Sequence, residues 1–185
     1  VIAGERLNDI PGLMVLDEQR ECRFTPRSPI MDLDSIPPPT YDEFDHSLYP
    51  GDSLILEWSR GCIGNCTYCK GKQIGGAFRM RSAKHIFNEL RRHAEKHGYR
   101  SFTISDNLLN GDPAILEEVC DRLIDAGLEI RWNGEAIPLP GMTSAVLQKM
   151  ARAGCYEIQW GLESASPNVL RRMGKGRFFS AETAR

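Results

Sequence analysis

The chain has 185 residues, 41% hydrophobic and 26% charged, with a formal net charge of −2. That length suffices for one domain with a real core. No apolar run approaches the ~20 residues of a membrane helix, no basic-then-apolar leader opens the chain, and no Lys/Arg run is dense enough to indicate nucleic acid. Charge is unevenly spread. Residues 1–57 hold 12 Asp and Glu against 4 Lys and Arg (−8), and residues 58–185 hold 13 against 19 (+6). The second part therefore suits anionic ligands or an acidic electron donor, with a merely solvated surface as the simpler account. A cytoplasmic, reducing setting is the default expectation, and there six cysteines argue for metal or catalysis over disulfides.

Residues 1–52 are irregular. Ile10-Pro11-Gly12 signals a turn, and Leu13 to Leu16 a short strand. Pro26, Pro29 and the run Pro37-Pro38-Pro39 break any long element, and the triplet favours extended backbone. Tyr41 and Phe44 can anchor this segment on a neighbour. The expectation is a linker, or the tail of a preceding domain, wrapped on a domain that spans residues 53–185.

A strand is expected at Ser53–Trp58, followed directly by Cys62, Cys66 and Cys69. Lys70 to Met80, with Gly71, Gly75 and Gly76, should be loop. Ser82 then caps a helix to about His97. The unit repeats. A strand at Ser101–Ser105 precedes a helix capped by Asp112 with Pro113 first, stopped by Gly127. A strand at Leu128–Trp132 precedes a helix capped by Thr143 and stopped by Gly154. A strand at Tyr156–Trp160 precedes a helix opened by Ser166-Pro167. Such alternation implies an α/β fold with a parallel sheet and right-handed crossovers. Four units, where a closed (β/α) barrel takes eight, point to a partial, apparently truncated barrel, with chemistry on the loops after the strands.

The three cysteines stand on the first of those loops. Thiolates suit iron–sulfur clusters and zinc. A cubane takes four cysteines, so three leave one iron open to a small molecule. Zinc would want a fourth ligand nearby, and no fourth Cys or His lies between Ile55 and Lys84. Cys120 and Cys155 fit small core positions.

The spacing Cys62-x-x-x-Cys66-x-x-Cys69, with Tyr68 before the last cysteine, resembles the radical S-adenosylmethionine (SAM) superfamily. Ser59-Arg60-Gly61-Cys62, Phe78 to Ser82, Asp106 to Gly111, Ala153-Gly154-Cys155, Gly161-Leu162-Glu163-Ser164 and Met173-Gly174-Lys175 are similar to the branch often fused to a cobalamin-binding domain. Asp32 to Pro37 resembles the linker of that branch. The resemblance implies a TIM-barrel-like partial barrel in which Cys62, Cys66 and Cys69 hold a 4Fe–4S cluster. SAM would chelate the open iron and be cleaved reductively to a 5′-deoxyadenosyl radical that modifies a substrate. Methyltransferase, methylthiotransferase and oxidoreductase chemistry all fall within it, with flavodoxin or ferredoxin as electron donor. Cobalamin would come from a domain outside this chain, since no Asp-x-His-x-x-Gly motif occurs.

The same resemblance assigns cofactor contacts: Tyr68 to adenine, Asp106 and Asn107 to the methionine amino group, Glu163 and Ser164 to the ribose or methionyl part, and Arg79 or Arg81 to the carboxylate. Each has a plainer reading. Asp106 suits a turn, Glu163 a helix start, and Arg79 and Arg81 a charged surface. His93 and His97, four apart, fit a solvated helix face. Trp132 and Trp160 could line the barrel or fill its core. The alternative to an enzyme is a non-catalytic iron–sulfur or zinc-binding module.

Overall fold

In the computed structural model, placement is described for residues 6–17, 19–49, 51–180 and 182. The chain divides into two compact units, Val1–Met31 and Asp32–Arg185. The first five residues of the segment expected to trail from a preceding domain lie outside the described part.

In the first unit, β1 (Met14–Leu16) pairs antiparallel with β2 (Cys22–Phe24). The expected strand thus has a partner that sequence did not suggest. Asp17 builds the turn between them, its Oδ1 accepting from Gln19 N and Glu21 N while Oδ2 meets Arg23 Nε at 2.8 Å. Such an Asx turn replaces backbone pairing with a side-chain acceptor.

The second unit carries β3 (Ser53–Leu56), a two-residue β4 (Ser59–Arg60), α1 (Gly71–Gly75), a two-residue β5 (Arg79–Met80), α2 (Ala83–Lys96), β6 (Ser101–Ile104), α3 (Pro113–Asp125), β7 (Arg131–Ala136), α4 (Ser144–Arg152), β8 (Cys155–Trp160) and α5 (Pro167–Arg172). Strands β3, β6, β7 and β8 form one parallel sheet in that order. This is the α/β partial barrel expected.

One face of the sheet is apolar. Leu54, Leu56, Phe102, Ile104 and Trp132 point into a core closed by Ile86, Leu90 and Ala94 of α2, Leu116, Val119 and Leu123 of α3, and Val146 and Met150 of α4. The period-2 alternation of the strands against the helical stripes produces this layer. Trp132 belongs to it, with its ring 5.3 Å from that of Trp58 and its Nε1 donating to Ala153 O at 2.9 Å. Trp160 is half-buried. The other face is polar: Thr103, Ser105, Asn133, Glu135, Glu157 and Gln159 surround a hollow of about 140 Å³.

The expected caps form. Ser82 accepts from His85 N, Asp112 from Ala114 N and Ile115 N, and Thr143 from Val146 N. Gly154 ends the third α/β unit at φ +91°, where an added Cβ would lie 2.0 Å from Ile130 O; only glycine fits.

Three expectations need correction. The third strand is not 128–132 but Arg131–Ala136, because pairing with β6 and β8 outweighs the weak strand preference of Asn133-Gly134-Glu135. The stretch after Lys70 is not all loop: it contains α1 and β5, and β5 pairs with β4 through Ser59↔Met80 and Arg60↔Arg79. His93 is fully buried, not solvated. The Tyr41 ring, 5.4 Å away, belongs to the segment packed on that face of α2, and Asp42 in the same segment pairs with Arg92 and Lys96.

Candidate functional site

The cysteine loop leaves β3 under tight backbone control. Asp106, just past β6, accepts from Trp58 N at 2.8 Å and Ser59 N at 3.1 Å through Oδ1. Ser59 Oγ donates to Leu108 O at 3.2 Å. The β4–β5 ribbon then closes the base of the loop. Gly61 passes beneath Ala77 at φ +78°, where a Cβ would meet Ala77 O at 2.4 Å.

Inside this frame, Cys62, Cys66 and Cys69 line one cavity of about 430 Å³, shared with Gly64, Asn65, Thr67, Lys70, Lys72 and Gln73. Gly64 N donates to Cys62 Sγ and Gly71 N to Cys69 Sγ, both at 3.2 Å. Backbone N–H groups aimed at sulfur fix the orientation of the two side chains towards the cavity. All six cysteines are free thiols. Among the described lining residues there is no fourth Cys, His or carboxylate. Among the described residues, no three His, Cys, Asp or Glu gather tightly enough to share one metal ion. Three thiols that line one cavity suit a multinuclear cluster, which takes each at a separate iron. The donor set therefore fits a three-cysteine iron–sulfur cluster with one iron open.

The loop docks on the turn that follows α5. Thr67 N donates to Met173 O at 3.1 Å, and Arg177 donates to Ile63 O at 3.1 Å. Beside this contact Tyr68, half-exposed, lies with its ring 5.9 Å from Lys175 Nζ. Lys175 is buried and donates to Gly161 O at 2.7 Å and Glu163 Oε1 at 2.9 Å. The Lys175 hydrogen bond holds the Glu163 carboxyl below its usual pKa. Burial works against the Lys175 charge, but the hydrogen bonds of Glu163 and Tyr68 outweigh it and raise the ammonium pKa. Burial, with a smaller opposing effect of Lys175, raises the Tyr68 phenol.

The structure thus brings Tyr68 and Glu163 to the cysteine loop. Asn107 joins them: an added Cβ on Gly71 would lie 3.3 Å from Cys69 Sγ and 3.5 Å from Asn107 Oδ1. Ser164, next to Glu163, accepts from Ser166 N at 3.1 Å. The remaining expected contacts point elsewhere. Asp106 is buried, with its carboxyl pushed up to about 6 by desolvation, against which the Ser59 and Trp58 bonds act. Its Oδ2 has no hydrogen-bond partner among the described residues. Arg79 donates to Ala77 O at 3.0 Å and to Gly75 O, bracing the loop backbone. Arg81 is buried, donating to Ile36 O at 3.0 Å and meeting His85 Nε2 at 2.7 Å. Lys175 was visible in sequence only as part of Met173-Gly174-Lys175; its reach to Gly161 is set by the fold.

No helix among the described residues is long and apolar enough to cross a membrane. The chain is 28% identical over 177 residues to an uncharacterized methyltransferase of Pyrococcus horikoshii, covering 94% of this chain and 38% of that protein. It thus spans about two fifths of that relative. Among solved structures, the cobalamin-dependent S-adenosylmethionine radical enzyme OxsB superposes with a TM-score of 0.78 at 24% identity, over 97% of this chain and 27% of that one. The radical S-adenosylmethionine methyltransferase TsrM from Kitasatospora setae does so with a TM-score of 0.79 at 17% identity, over 98% and 38%. These two establish the fold. The pattern of the radical SAM superfamily matches residues 56–181, the span from the end of β3 through the cysteine loop to the turn beyond α5. Proteins of that superfamily work with a 4Fe–4S cluster and SAM, and need a reductant and a substrate. With the three-thiol cavity and the sheet that carries it, this match establishes that the chain belongs to the radical SAM superfamily.

Proposed function

We propose that this chain is the cofactor-binding part of a radical SAM enzyme whose reaction is a methyl transfer. The observation that carries the reading is the cavity shared by Cys62, Cys66 and Cys69 at the C-terminal end of the sheet. Glu163 and Ser164 leave β8 at the same end. When bound, the cluster supplies the electron that cleaves SAM to methionine and a 5′-deoxyadenosyl radical.

The residues of the chain bind and orient. Cys62, Cys66 and Cys69 ligate three irons. Tyr68 packs against adenine, and Glu163 and Ser164 hydrogen-bond the ribose or methionyl part. Asn107, whose Oδ1 lies beside Gly71 and Cys69, accepts from the methionine amino group in this reading. Asp106 acts through the backbone of Trp58 and Ser59, from whose N–H groups its Oδ1 accepts. Arg79 holds the loop instead of the cofactor carboxylate. Lys70 and Lys72 on the cavity rim suit an acidic donor such as flavodoxin or ferredoxin, in the cytoplasm. Residues 1–52 act as a linker or tail before the core domain at 53–185, with cobalamin held by a domain outside this chain. Methyl transfer and cobalamin are supported by the methyltransferase and cobalamin-dependent proteins it resembles. No observation favours a non-catalytic module.

Anaerobic reconstitution tests the reading. The expected product is a brown protein with about four irons per chain, whose spectrum changes on adding SAM and which forms 5′-deoxyadenosine under a strong reductant. Stoichiometric zinc with no response to SAM would overturn it. Cys66→Ala should abolish both the cluster and deoxyadenosine formation.

A further inference from the structure

Lys175 is the one buried lysine among the described residues, and its position is unusual for a residue outside any ligand set. Its side chain is 7% exposed, a costly location for an ammonium unless it is paired and hydrogen-bonded. It meets both needs from one short segment, through Gly161 O and Glu163 Oε1. Between those two contacts the chain leaves β8 and turns. Glu163 takes up the turn at φ +61°, a left-handed conformation that is unfavourable for a non-glycine residue and persists only where its surroundings fix it. Lys175 supplies that restraint by holding the carbonyl before the turn and the carboxylate at it.

The other side of Lys175 faces the cysteine loop. Tyr68, the residue before Cys69, lies with its ring 5.9 Å from Lys175 Nζ. The backbone around Lys175 is also the loop's dock. Met173 O accepts from Thr67 N, and an added Cβ on Gly174 would lie 3.0 Å from Asn65 O. One residue therefore touches both segments assigned to the cofactors.

We infer that Lys175 is a positioning residue that couples the two halves of the cofactor cradle, setting the Glu163 turn against the loop of Cys66 and Cys69 so that cluster ligands and the SAM-binding edge are ordered together. The inference rests on the function proposed above for what fills the cradle, but the coupling itself belongs to the protein. Without Lys175, the Glu163 turn loses its restraint and the carboxylate its partner. The loop keeps its thiols but loses its fixed relation to β8.

Two measurements on the full chain test this. The first is amide hydrogen exchange without cofactors, comparing wild type with Lys175→Met, which keeps the apolar stem and removes the donors. Residues 62–70 and 161–166 should both exchange about tenfold faster, with α2, α3 and α4 unchanged. Wild-type rates in either segment would overturn the coupling. The second is SAM titration of protein reconstituted to about four irons per chain, followed by the cluster spectrum. Lys175→Met should bind SAM about tenfold or more weakly at full iron content, and wild-type affinity overturns the inference. If Lys175→Met does not fold, Lys175→Gln decides, since it removes the ammonium that pairs with Glu163 and keeps a polar side chain. About threefold weaker SAM binding upholds the coupling, and unchanged affinity sinks it. Wild-type protein that carries its irons yet ignores SAM overturns the proposed function instead, and the exchange comparison still judges Lys175.

Discussion

Asp106 shows how a single side chain serves the site from beneath it. Its Oδ1 gathers two backbone N–H groups at the exit from β3, and that service keeps a carboxyl in the interior. Its pKa is raised from 3.8 to about 6, burial being the main cause. Between those values the folded protein holds a proton that the unfolded chain has released. Stability therefore falls as pH rises through this window and stays lower above it. Asp106→Asn keeps the acceptor and drops the charge. The variant should match wild type near pH 4 and gain about 3 kcal/mol relative to it by pH 7–8, read from denaturant midpoints across pH. Sequence placed Asp106 correctly at the end of a strand. It could not show that the carboxylate turns inward, because Trp58 and Ser59 lie 48 and 47 residues away along the chain.

Among the elements, the helices were the most legible. Their caps are local devices, so Ser82, Asp112 with Pro113, and Thr143 announce themselves in sequence. Strand β7 was not, because its residues become a strand only between β6 and β8. Helix α2 was half-read: its apolar stripe was plain, but the extended segment over His93 hid a second buried face. That histidine has both ring nitrogens unpartnered among the described residues, and its pKa is lowered to about 4, chiefly by burial. A depressed histidine contributes stability that is present above its unfolded pKa of 6.5 and is lost as pH falls toward 4. His93→Leu should flatten that acid-side loss, gaining about 3 kcal/mol on wild type near pH 4 while also removing unsatisfied polar groups at neutral pH. Equal acid slopes for the two proteins would refute this account of α2. Gly154→Ala, in contrast, should cost at least about 1–2 kcal/mol at every pH, read from the same denaturant midpoints.

For the whole molecule, the core and the cluster site are built from different parts. The residues between sheet and helices include none of the three loop cysteines. Stripping iron with a chelator should leave far-UV circular dichroism nearly unchanged. Amide exchange should accelerate in residues 61–78 and 172–178, the loop and its dock. Loss of the helical signal would show instead that the metal holds the fold, as in small zinc domains. Three thiols in eight residues, on a loop after a strand, made the metal site readable in sequence. What sequence did not show was the dock, whose contacts depend on β8 and α5 closing back onto the first loop.

That dock has a consequence for how the protein is made. Thr67 reaches Arg172 across 105 positions, and Arg177 reaches Ile63 across 114. At about 5–20 residues per second of synthesis, the cysteines leave the ribosome roughly 5–20 s before the turn that seats them. During that interval the thiols are presented on an unanchored loop, open to oxidation and to premature metals. The loop can take its docked position only after the segment that carries Met173 and Arg177 has emerged.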